Sequence, residues 1–326
     1  MSATDHLSAD LDLTLDRPAH TTLDYLAVDI GERGLRARRA GADEGRIDIG
    51  DLHDGLGALD LVAAVSSLAG DGPPPVTVWT LGGAAASIDP SELIAVAPPQ
   101  TRTVVVDAAT ATLVGALGGV EPGVVLEMTA GVRTICTDFE TLWHRIDGWG
   151  PILGDRGSGA WLGAQGLAAG LRHRDGVPGG SEHLLQAGRR AFGDESGWAR
   201  ILEEHPVAEV LADFAHVVGD VSRHDPVAEG LCRLAGEHLA DAICAGAQLL
   251  PGRPLTATGP LLLVDAVKVS FASALGKRRI ILVPALGDTL AGTRHIAEHV
   301  LAGGRLTHHP PHVYVQGQNA LAAPKP

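Results

Sequence analysis

The sequence predicts an α/β protein of two domains. Three observations predict it: short runs of branched apolar residues ending in Asp or Gly, helix-patterned stretches between those runs, and a second such series beginning after Gly119. In order, "LDYLAVDIG" from Leu23 reads as a strand with Asp29 near its end, and "RARRAG" from Arg36 as a solvated hairpin edge. "GLGALDLVAAVSSLAG" reads as a helix, "DGPPP" breaks the chain, and "VTVWTLGG" is a second strand. "TRTVVVDAA" is a third strand ending in Asp107, and the small residues of "AATATLVGALGG" suit a closely packed helix behind it. Ligands of such folds gather at the carboxyl ends of the strands. The second series runs from the strand "GVVLEMTAG" and its hairpin partner "VRTICTDFETLW", through a glycine-rich stretch, to packing helices with Pro206 and Pro226 near their starts. A strand-like "RPLTATGPLLL", a strand "RRIILVPALG" and the helix "DTLAGTRHIAEHVLAGG" close it. The expected layout is a disordered extension over 1–22, an N-terminal α/β domain over 23–118, a C-terminal α/β domain with a helical insert over 119–306, and a patternless tail over 307–326.

Bulk properties exclude several function classes. A net charge of −14 over 326 residues repels phosphate polymers and anionic lipid, so nucleic acid and membranes are excluded as partners and a small ligand is favoured. Cys136, Cys232 and Cys244 form no CxxC pair and no metal-ligand spacing, which suits a reducing compartment. With no signal-like leader and no run approaching the ~20 apolar residues of a membrane span, a cytoplasmic protein is expected.

The stretch "DGWGPILGDRGSGAWLGAQGLAAGLRHRDG", residues 147–176, carries the chemistry. Nine glycines in thirty residues let the backbone turn sharply and approach a ligand, and a helix opens on the turn. Asp155 within it can accept hydrogen bonds from paired hydroxyls. On spacing alone, glycines serving tight packing and Asp155 serving as a helix cap explain the stretch equally well. Trp149 and Trp161 flank it, as sugar-stacking faces or as core anchors. The tail histidines His308, His309 and His312 lack a spaced metal-ligating partner.

The pattern Gly-Trp-Gly, Gly-Asp-x-Gly-Ser-Gly and then a helix with an aromatic and a glycine resembles the sugar-site segment of the N-acetylglucosamine kinase family, grouped with the BadF/BadG/BcrA/BcrD-type ATPases. "YLAVDIGERGLRAR", "VVVDAATATLVGALGG", "GVVLEMTAG" and "LTATGPLLL" resemble, in order, that family's first phosphate loop, catalytic strand, second phosphate loop approach and adenosine-side strand. The resemblance implies two ribonuclease-H-like, actin-like ATPase domains around a central cleft, and transfer of the γ-phosphoryl group of ATP, with Mg²⁺, to an amino sugar such as N-acetylglucosamine or glucosamine. By position it implies Asp107 as the catalytic carboxylate and Gly154, Asp155, Gly157 and Ser158 as the sugar site. Asp29, Gly31, Arg33, Thr129, Gly131 and Gly259 would face the nucleotide, with Asp29 reaching Mg²⁺ through water. An N-cap role for Asp107 stays open, and a homodimer is allowed for.

The chain departs from the family at its phosphate loops. Glu32 and Arg33 stand where a glycine and a threonine belong, the second loop reads "TAGV" from Thr129, and Pro260 follows Gly259. Two readings follow: an active amino-sugar kinase with altered loops, or a weak or inactive relative that keeps the sugar pocket and acts as a sensor. An activator of a radical dehydratase would need cluster-binding cysteines, and none sits in a suitable loop pair.

Overall fold

The computed structural model describes residues 24–31, 34–48, 57–69, 72–83, 85 and 88–317. The 1–22 extension and the Glu32 and Arg33 positions lie outside the described residues.

Strand β1 (Leu26–Gly31) folds back through β2 (Gly34–Arg39) and β3 (Gly45–Asp48) as antiparallel neighbours. Helix α1 (Ala58–Ala69), strand β4 (Val76–Leu81), helix α2 (Pro90–Val96) and strand β5 (Arg102–Asp107) follow, with β4 and β5 parallel to β1. Helix α3 (Ala108–Leu117) is buried from Ala108 to Ala116, an enclosure that its small residues permit.

The second series is the antiparallel meander β6 (Gly123–Met128), β7 (Val132–Thr137) and β8 (Trp143–Asp147). A short helix α4 (Gly150–Leu153) leads to α5 (Gly159–Arg174), α6 (Glu182–Phe192), α7 (Trp198–Glu204), α8 (Val207–Val221) and α9 (Pro226–Leu249). Strand β9 (Leu255–Thr258) lies parallel to β6 and is followed by α10 (Asp265–Lys277), α11 (Thr289–Leu301) and β10 (Val313–Val315).

Two mixed sheets result, ordered β10-β5-β4-β1-β2-β3 and β8-β7-β6-β9. Side chains alternate across each strand, so every sheet feeds two cores. Val78, Val104 and Val106 of the first sheet meet Val125 and Ile135 of the second around α3 and α11. Leu26, Val28 and Val105 pack outward against Leu61 and Leu93 of α1 and α2, while Val124, Leu126 and Met128 pack outward against Leu162, Phe214 and Leu239. The layers are therefore helix, sheet, helix, sheet, helix. The central layer is thin because Gly115 of α3 and Gly292 of α11 let the two backbones touch: a side chain at either would collide with main chain of the opposite segment.

The structure corrects three expectations. "RRIILVPALG" is no strand: residues 280–288 are irregular, held by one ladder-like bond from Val283 N to Leu255 O at 2.8 Å, with Ile281 85% and Leu286 74% exposed. Pro284 removes a donor from that run, which disfavours a ladder. "RPLTATGPLLL" stops being strand at Thr258, and Pro260–Leu263 form a 3₁₀ turn. The segments assigned to the second domain and the tail return to the first sheet: α11 packs on α3 within the core fed by both sheets, and β10 pairs antiparallel with β5, Val313 opposite Val106. Among the described residues no helix is long and apolar enough to cross a membrane.

Candidate active site

The two sheets open on a cavity of about 400 Å³ whose lining includes Asp29, Arg36, Glu127, Thr129, Arg133 and Asp288. Gly31, Gly34 and Arg46 line it from the hairpin side, Ala108 and Pro260 from the ends of β5 and β9. Asp29 is 5% exposed, and its Oδ2 accepts from Arg36 Nη2 at 2.5 Å and Nε at 3.2 Å. Arg36 Nη1 donates to Asp288 Oδ2 at 2.5 Å. Burial pushes the Asp29 carboxyl above its usual range, and the Arg36 guanidinium offsets only part of that push. Burial pushes Asp288 the same way, but there Arg36 and the Ala291 amide prevail and hold it low. On the opposite wall Arg133 Nε donates to Glu127 Oε2 at 2.8 Å, while Thr112 Oγ1 donates to Glu127 Oε1 at 3.1 Å.

Asp107 ends β5 and caps α3, its Oδ1 accepting from Thr110 N at 2.7 Å. The N-cap role is therefore filled, and it leaves Oδ2 for other work. That oxygen meets His312 Nδ1 at 2.5 Å.

Asp155 follows a tight path. Asp147 at the end of β8 and Asp155 itself both take positive φ, 60° and 56°, and Asp147 Oδ1 accepts from Gly148 N at 3.1 Å and Asp155 N at 2.6 Å. Asp155 is 6% exposed, and its Oδ1 is buried with no partner among the described residues. Burial first, then the Asp147 charge, push its carboxyl upward, against the Gly150 and Val132 amides and the Arg133 charge. Gly131 makes the room: a methyl group there would lie 2.8 Å from Asp155 Oδ2.

The sequence-derived residues thus fall into three groups. Asp29, Gly31 and Thr129 line one cavity, and Asp107 and Gly259 adjoin it through Ala108 and Pro260. Asp155 and Gly131 touch each other, next to Arg133 of the same cavity. Gly154, Gly157 and Ser158 support that corner from behind. A side chain at Gly154 would meet Asp147 Oδ1 at 2.5 Å, Gly157 lies against the Ala235 carbonyl of α9, and the fully buried Ser158 caps α5 by accepting from Trp161 N at 3.1 Å. Gly259, at φ 129°, lets the turn pass the Met128 backbone. Arg33 lies outside the described residues. Trp149 is exposed under the Arg145 guanidinium, 4.3 Å from its ring centre, and Trp161 packs edge-on against His238. Glu127, Arg133 and Asp288 carry no signal in the sequence, and Arg36 and His312, visible there as a hairpin edge and a tail histidine, give no sign of their place at the site. The spacing of seven between Asp29 and Arg36 is the one sequence signal for their pair, as neighbours across a hairpin.

No known family's sequence pattern matches the chain, and no curated protein does. Solved structures match its fold. A Chromobacterium violaceum protein provisionally named an N-acetylglucosamine kinase is 24% identical with a TM-score of 0.67, over 84% of this chain and 98% of that one. A Porphyromonas gingivalis protein with the same provisional name is 17% identical with a TM-score of 0.61, over 85% and 99%. A ROK family glucokinase from Streptomyces griseus, in complex with glucose and AMPPNP, is 14% identical with a TM-score of 0.51, over 85% and 99%. The chain has the fold of these three solved structures, the actin-like ATPase fold.

Proposed function

We propose that the chain is an ATP-dependent sugar kinase whose acceptor is an amino sugar such as N-acetylglucosamine or glucosamine. The observation that carries the reading is Asp155, a carboxylate with a buried, unpartnered oxygen near Arg133 of the cavity that Asp29 lines and that Asp107 adjoins through Ala108. A buried polar atom without a partner is costly, and a hydroxyl-bearing ligand relieves it. The provisional names of two solved structures of the same fold support the amino-sugar class.

The donor set suits a nucleotide. Arg36, Arg46 and Arg133 bring three cations to one cavity of an acidic chain, with the Thr129 and Thr289 positions beside them. No three His, Cys, Asp or Glu among the described residues group to hold a metal, which fits Mg²⁺ carried on phosphates, since that ion takes only one or two protein carboxylates. Asp29 and Glu127 are the carboxylates in place for it, and Gly31 and Thr129 border the phosphates. Bound Mg²⁺–ATP supplies the phosphoryl group and the cation that offsets its charge. Asp155 holds and orients sugar hydroxyls, the Gly131 gap lets them approach, and Asp107 takes the proton of the attacking hydroxyl. The test is ADP release with Mg²⁺–ATP and N-acetylglucosamine, glucosamine, N-acetylmannosamine or glucose, with the product weighed by mass spectrometry. A sugar phosphate from an amino sugar and not from glucose supports the reading; no product from any sugar overturns it.

One observation favours a second reading, a sugar-binding regulator with little transfer activity. Arg36 is engaged by Asp29 and Asp288, and Arg133 by Glu127, so a nucleotide has to compete with standing ion pairs. Calorimetry separates the two: the regulator binds amino sugar and gives no heat with Mg²⁺–ATP.

A further inference from the structure

We propose that His312 is the positioning residue for Asp107, fixing the direction in which that carboxylate accepts the hydroxyl proton. The inference rests on the kinase reading of Asp107 and adds a residue from a tail that has no periodic pattern in the sequence. The two residues are joined twice. Asp107 N donates to His312 O at 3.0 Å, extending the β5–β10 ladder by one pair, and His312 Nδ1 sits 2.5 Å from Asp107 Oδ2. An ionised carboxylate, the form a general base needs, only accepts, so opposite it Nδ1 carries the hydrogen. With Oδ1 fixed by the Thr110 amide and Oδ2 by the imidazole, the side chain has one available rotamer, and its remaining lone pairs point one way. The imidazole is itself held. Trp143, at the start of β8 in the second sheet, stacks on His312 at 5.4 Å and 10° between planes, and on His309 at 5.2 Å and 13°. The ring that orients a first-sheet carboxylate is therefore steadied from the second sheet, by a residue packed against the core the two sheets share.

The test uses the full-length protein with two variants. His312→Phe keeps a ring for Trp143 and removes the donor; His312→Asn restores a donor near the Nδ1 position and removes the ring. Positioning predicts that His312→Phe lowers kcat about 10- to 100-fold, in the range for a misdirected catalytic group, with the KM for sugar little changed. His312→Asn recovers most of that loss, and His312→Phe adds nothing in an Asp107→Asn background. Equal loss in both variants, or a further loss on top of Asp107→Asn, overturns the proposal. A readout free of turnover is the ¹⁵N spectrum of the imidazole, assigned by its loss in His312→Asn. The ring should hold its hydrogen on Nδ1 in wild-type protein and shift toward Nε2 in Asp107→Asn; the same tautomer in both overturns the pair. If wild-type protein phosphorylates no sugar, the kinase reading fails, while the tautomer still decides whether His312 orients Asp107.

Discussion

Asp29 and Asp155 are buried to nearly the same depth, 5% and 6% exposed, and burial pushes both carboxyls upward, yet the two halves of the molecule treat them oppositely. The first sheet gives Asp29 a permanent guanidinium, which is in turn shared with Asp288. The second sheet gives Asp155 another carboxylate as neighbour and leaves one of its oxygens without a partner. The charge of Asp29 is balanced before any ligand arrives, whereas that of Asp155 is not, and a ligand beside it relieves the cost.

The third carboxylate sets the largest expected effect. Asp107→Asn should lower turnover by ~10²–10⁴, the range for a general base, and leave sugar affinity in place, as read by initial rates and calorimetry. Next, Asp155→Asn should weaken amino-sugar binding by about 1.5–3 kcal/mol, the range for a hydrogen bond to a charged group. If that substitution leaves binding intact, the second half of the comparison collapses. Arg36→Gln should destabilise the fold by about 1–3 kcal/mol in urea unfolding, because it leaves the buried Asp29 carboxylate without its guanidinium. The smallest effect has the opposite sign: Asp155→Asn should stabilise the unliganded protein at neutral pH. The folded carboxyl is raised above its unfolded value, so the native state resists ionisation. Stability from this group is highest in acid and is lost as the pH rises through the folded pKa. The gain from Asn should therefore shrink as the medium is acidified, and melting temperatures measured across pH check it. Should both substitutions move stability the same way, burial alone governs the two sites and their company does not matter.

Local signals were legible where a residue's role is local. The carboxyl ends of β1 and β5 could be placed from short branched runs, and Asp107 as a cap from the helix that follows it. The glycine-rich stretch was legible only as a mixture. Gly148 and Gly150 carry positive φ on the path to Asp155, while Gly159, Gly163, Gly166 and Gly170 bring α5 against Ala212, Leu211, Val218 and Leu185. Spacing alone does not separate those uses, because both need the missing side chain. What stayed hidden was long-range. The Arg36–Asp288 and His312–Asp107 contacts span 252 and 205 residues, and no periodicity reports a pairing of that length. The run at 278–287 misled for the converse reason: branched residues promised a strand, whereas Ile281 and Leu286 are exposed to solvent.

Because β10 covers the edge of β5, the order of synthesis has a cost. A ribosome adding ~5–20 residues per second needs on the order of 10–40 s to travel from Asp107 to His312, a separation of 205 residues. Until then the emerging chain carries an open edge of Val104, Val105 and Val106, a template for pairing with other chains. A nonsense mutation or protease cut between α11 and residue 312 would leave both walls of the cleft encoded, yet the shortened product should be lost to aggregates in the cell before its chemistry could be asked about.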